Sequence, residues 1–86
     1  MQTVRELEFA LQLAKQLGYE VRHELLDGAA GGSCEFAGRR WLFVDLALPP
    51  HEQLQQVRDS LVADPRFTTL DLDAATRQQW KLPHAA

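Results

Sequence analysis

Eighty-six residues, 45% hydrophobic and 24% charged, describe one globular domain with no room for a second core. A net charge of −3, with acids and bases interspersed, excludes a general nucleic-acid binder, which needs clustered Lys and Arg to neutralise phosphates. The single cysteine permits no internal disulfide and suits a reducing, cytoplasmic setting. The polar N-terminus carries no signal-peptide pattern, and no apolar run reaches the roughly 18 residues of a membrane span.

The first element is a helix near Thr3–Leu17. Thr3 and Glu6 have the spacing of a capping box, and Val4, Leu7, Ala10, Leu11, Ala14 and Leu17 form the apolar stripe. Gly18 supplies the stop. Phe9 falls opposite the stripe, so it reads as a ring over a neighbouring loop or as an interface contact. "YEVRHEL" then alternates as a strand, with Tyr19, Val21, His23 and Leu25 on one face and Glu20, Arg22 and Glu24 on the other. Asp27–Gly32 is expected to be a mobile connection.

Ser33–Phe36 and Arg40–Leu46 read as a hairpin turning at Ala37-Gly38-Arg39. Its second strand is apolar almost throughout and therefore central. Leu42, Val44, Leu46 and Leu48 are assigned to the core. Trp41 and Phe43, on the other parity with Asp45, form an aromatic strip on the second face. A second helix follows, with Pro50 in its first turn, a Leu54, Val57 and Leu61 stripe, and a stop at Asp64-Pro65. "FTTLDL" reads as a short strand. Asp73 caps a final helix through "AATRQQW".

The fold class is thus α+β: a three- or four-stranded, mainly antiparallel sheet with two principal helices on one face and a short C-terminal helix. That layout covers only one face of a strand that is apolar on both, and the short segment with Trp80 is the one remaining cover for the other.

Four features invite chemistry. His51-Glu52 begins the zinc-protease pattern H-E-x-x-H, but the second histidine would fall at Gln55. The candidate metal ligands His23, Cys34, His51 and His84 have no recognised spacing, so no metal and no cofactor are expected. "DGAAGGS" resembles a phosphate loop but runs into a strand, without the G-K-[ST] that would follow. "RRWLFVDL" echoes an RNA-binding strand with alternating aromatics, although the first strand has no aromatic partner on its charged face and the element order is wrong for that fold. Cys34 reads as a small core residue beside Phe36; paired with His23, it would instead be a thiol centre.

The order helix, strand, hairpin ("GRRWLFVDLALPPHEQLQQV") and helix resembles the N-terminal half of the ImmA/IrrE-type metallopeptidases over some 35 residues. There, the zinc motif would fall on Asp59-Ser60-Leu61-Val62-Ala63, so both histidines and the glutamate are missing. The resemblance implies a related core shape without the chemistry. The "GGSC…GRRxLFVD" run is also similar to small uncharacterised bacterial proteins.

The functional expectation is a small non-enzymatic interaction or accessory domain. It docks a protein partner or a second copy through Trp41, Phe43, Phe9 and Trp80, and engages neither nucleic acid nor membrane. The competing expectation is a thiol-based enzyme or redox protein using Cys34 with His23.

Overall fold

The computed structural model describes residues 2–27 and 31–80. Helix α1 (Gln2–Gln16) leads into strand β1 (Tyr19–Glu24), followed by the hairpin strands β2 (Gly32–Phe36) and β3 (Arg39–Asp45). Helix α2 (Pro50–Val62), a 3-10 helix (Pro65–Thr69) and the short helix α3 (Ala74–Gln79) complete the described chain. Among the described residues, no helix is long and apolar enough to cross a membrane. The expected connection at Asp27–Gly32 falls partly outside the description, at residues 28–30, as does His84.

The sheet is three-stranded and mixed, in the order β1-β3-β2. The expected α+β class holds, and only the pairing differs in detail: β2 is antiparallel to β3, whereas β1 runs parallel to it, so the sheet is mixed rather than mainly antiparallel. The cause lies in β3. Apolar on both faces, it takes the centre, and the charged β1 and the short β2 take the edges. β1 therefore ends, opposite Asp45, at the same end of β3 where β2 begins, opposite Phe43.

Leu42 and Val44 point inward from β3 and are fully buried with Leu54, Val57 and Leu61 of α2 and Ala10, Leu13 and Ala14 of α1. Leu13 was not in the expected stripe. Val4, which was, is largely exposed, and so is Leu46, which lies in the turn after β3 rather than in the core. The capping box is also corrected. The helix already includes Gln2, so Thr3 is helical and cannot be its N-cap; Glu6 instead faces Gln79 and Arg58.

α2 begins with Pro50 at its first position, where the missing N–H leaves nothing unpaired. "FTTLDL" is not a strand. Asp64 accepts a bond from the Arg66 backbone N–H at 2.8 Å and, with Pro65 behind it, winds the chain into the 3-10 helix that buries Phe67. Asp73 caps α3 as expected, accepting from the Thr76 N–H at 2.8 Å, and hydrogen bonding from the Thr76 side chain, then from that N–H, holds its carboxylate below the usual range. α3 lies against the helix layer, where Trp80 stacks on Phe67 at 5.6 Å between ring centres with the Arg58 guanidinium over its ring.

Candidate functional site

The hairpin turn decides which side chains share the second face of the sheet. Phe36 and Arg39 are directly paired, so the turn contains only Ala37 and Gly38, at φ 55° and 75°. Two consecutive positive φ values make the type I′ turn that matches the twist of a two-residue hairpin. The expected turn had one residue more. Shortening it by one slips the register and reverses the face of every side chain on β2. Cys34 is thereby paired with Trp41, and Gly32 with Phe43.

The second face therefore carries Trp41 and Phe43 at its centre, with Cys34 and Phe36 on one side and Glu20, Arg22 and Glu24 on the other. Trp41 and Phe43 are half-buried and stack on each other, with ring centres 6.3 Å apart and planes 20° from parallel. The charges flanking them are partnered within the face. Arg22 meets Glu24 at 3.2 Å and lies over the Trp41 ring at 5.9 Å, while Arg39 meets Glu20 at 3.4 Å. Phe36 is 72% exposed at the edge. The result is an aromatic strip bordered by ion pairs, on the side of the sheet away from α1 and α2.

Trp80 does not belong to this surface. It is 8% exposed, stacked on Phe67 in the core, which corrects both its place among interface residues and its role as a cover for the strip. Phe9 is 40% exposed, as its position opposite the stripe implied, but it stands on the helix layer rather than beside Trp41.

The Cys34–His23 pair of the competing expectation is not assembled. His23 is opposite Val44 and shares the helix-facing side of the sheet, whereas Cys34 is opposite Trp41 on the other side, with β3 between the two strands. Cys34 is exposed rather than packed in the core. His51 is exposed in the first turn of α2. Among the described residues, no three His, Cys, Asp or Glu side chains gather in a metal-binding arrangement.

The glycine pair before Cys34 has a packing explanation. A Cβ on Gly31 would come within 3.0 Å of the Phe43 carbonyl oxygen and closer still to the Gln56 amide, and Gly32 opens β2 at φ 124°. Both positions favour glycine without any bound anion.

Sequence reasoning missed a second feature, a polar cleft of about 480 Å³ where the helix-facing side of the sheet meets the end of α2. Tyr19, Ser33, Glu35, Arg40, Asp64 and Arg66 line it. Its charges pair with each other: Arg40 Nε donates to Glu35 at 3.1 Å, and Arg66 Nη2 donates to Asp64 at 2.8 Å. Arg40 Nη1 is buried without a protein partner. The signal in the sequence was the charged Arg40 on the same parity as Leu42 and Val44.

No family model, curated protein or solved structure matches this chain.

Proposed function

We propose that the protein is a small interaction domain that docks a protein partner on the strip formed by Trp41 and Phe43. The observation that carries this reading is the pairing of two stacked aromatics on the central strand with no described element over them. Aromatic rings in the centre of a patch, rimmed by charged residues, are the usual anchors of protein interfaces. The ion pairs Arg22–Glu24 and Arg39–Glu20 leave the rim close to neutral, so apolar contact supplies the affinity and the rim sets orientation. A cytoplasmic role accords with the unpaired cysteine exposed beside the strip.

The test is a photocrosslinking amino acid placed at Phe43 and, as control, at exposed Val62 on α2, in the cells that make the protein. An adduct of one defined mass from position 43 alone, lost when Trp41 is also changed to Ser, is expected. Equal labelling from both positions, or none from position 43, contradicts the reading.

A further inference from the structure

The free edge of the sheet at β2 is built to pair with itself. Phe36 and Arg39 close a two-residue turn, so they form a hydrogen-bonded pair, and the alternation of an antiparallel ladder makes Cys34–Trp41 and Gly32–Phe43 hydrogen-bonded pairs too. The backbone N–H and C=O groups of Ser33 and Glu35 consequently point away from β3. Among the described residues, no backbone hydrogen bond engages them. Residues 33–36 are all exposed, and the edge carries no proline, lysine or bulge of the kind that normally blocks strand addition.

Only a few antiparallel registers bring these outward groups together across a twofold axis. Centring the pair on Glu35 sets two carboxylates against each other. Centring it on Ser33 requires Gly31 as a strand residue, yet Gly31 is packed against Gln56. Centring it on Cys34 has neither defect. Ser33 of one copy then exchanges both hydrogen bonds with Glu35 of the other, and Phe36 lies across from Gly32 of the other copy. That glycine has no side chain, so it leaves a gap beside Phe43. The most exposed aromatic ring fills the gap, as an aromatic commonly does beside a glycine in a sheet.

We propose that two copies associate edge to edge through β2, antiparallel and centred on Cys34, forming one six-stranded sheet. The two aromatic strips would then lie side by side on the same face. A contact of one short strand edge should bury less than the roughly 1,200 Å² total of a stable interface, so the dimer should be concentration-dependent. Its hydrogen bonds are made by the strand edge and only Phe36 reaches the strip, so the edge variants Glu35→Pro and Phe36→Lys test it separately from the docking reading above.

The single cysteine makes the register directly measurable. In a non-hydrogen-bonded pair the two Cα atoms are about 4.5 Å apart, within disulfide reach. The experiment is sedimentation equilibrium of the full chain under reducing conditions up to about 500 µM, followed by oxidation with diamide. In that step the two Cys34 thiols lose two protons and two electrons to diamide, giving one disulfide and the hydrazine. Expected are a reversible dimer, near-complete crosslinking at concentrations where it forms, and a Cys34→Ser variant that still dimerises. Glu35→Pro removes an outward N–H that β3 does not use and should abolish both dimer and crosslink. Phe36→Lys, at an exposed position, provides a second variant and should weaken association at least about tenfold. A chain that stays monomeric throughout, a dimer that does not crosslink, or association unchanged by both Glu35→Pro and Phe36→Lys overturns the proposal.

Discussion

The Tyr19 hydroxyl donates a 2.7 Å hydrogen bond to Asp64 Oδ2, tying the first residue of β1 to the residue that caps the 3-10 helix after α2. Asp64 also receives the Arg66 backbone N–H and guanidinium, so one carboxylate joins the sheet, the helix layer and the 3-10 helix. Burial, then the bond and the charge of Asp64, push the Tyr19 phenol up to about 12.

The sign of the pH effect follows from this. The folded value lies above the value of roughly 10 in an unfolded chain, so the contribution is complete below about pH 10 and is lost as pH rises from about 10 to 12. Tyr19→Phe should cost about 1 kcal/mol at pH 7. It should also remove part of the alkaline loss of stability. Urea titrations of both proteins at pH 7 and pH 11 check this: a mutational difference that does not shrink at the higher pH contradicts it.

Leu42→Ala and Leu61→Ala should each cost about 2–5 kcal/mol, because both side chains are fully buried where β3 meets α2. A domain of this size holds about 5–10 kcal/mol in total, so each melting temperature should fall severely. Thermal melts by circular dichroism decide it, and a change of only a few degrees would disprove the packing.

Ala37→Asn should stabilise the protein by about 0.5–1 kcal/mol. Ala37 sits at φ 55°, a left-handed conformation that disfavours alanine and that asparagine tolerates. Urea unfolding measures the gain. Equal or lower stability would mean that the turn relaxes away from the type I′ geometry.

The two tryptophans should report opposite environments. With Trp41→Phe, the remaining Trp80 fluorescence should resist acrylamide, since that ring is stacked on Phe67 in the core. With Trp80→Phe, Trp41 should be readily quenched in dilute protein. The reverse order of quenching would place the wrong aromatic on the surface.

Where the sequence was decisive, a strong local signal agreed with the tertiary fold. The Leu54, Val57 and Leu61 stripe, Pro50 at the helix start and the Asp73 cap each have a mechanism that operates within one or two turns of chain. The centrality of β3 was equally legible, because both of its parities are apolar. The direction of β1 was not. Alternation in "YEVRHEL" gives the faces of a strand but says nothing about which way its neighbour runs. The face of Cys34 depended on one residue of turn length, and a Gly-Arg-Arg sequence after Ala37 does not reveal where the turn ends. "FTTLDL" is short enough for strand and 3-10 conformations to compete locally, and the Asp64–Pro65 start settles the matter through contacts with Arg66 and Tyr19. The polar cleft escaped notice because its charged members come from three segments that meet only in the fold.

The docking reading requires that Trp41 and Phe43 contribute little to the core, and the unfolding free energy of the Trp41→Ser, Phe43→Ser double variant tests that most directly. Losing their mutual stacking and strand preference should cost about 1–2 kcal/mol, with the dependence on urea unchanged and the chain still folded at 25 °C. A loss of about 4 kcal/mol or more, of the size seen when core aromatics are removed, would contradict the account.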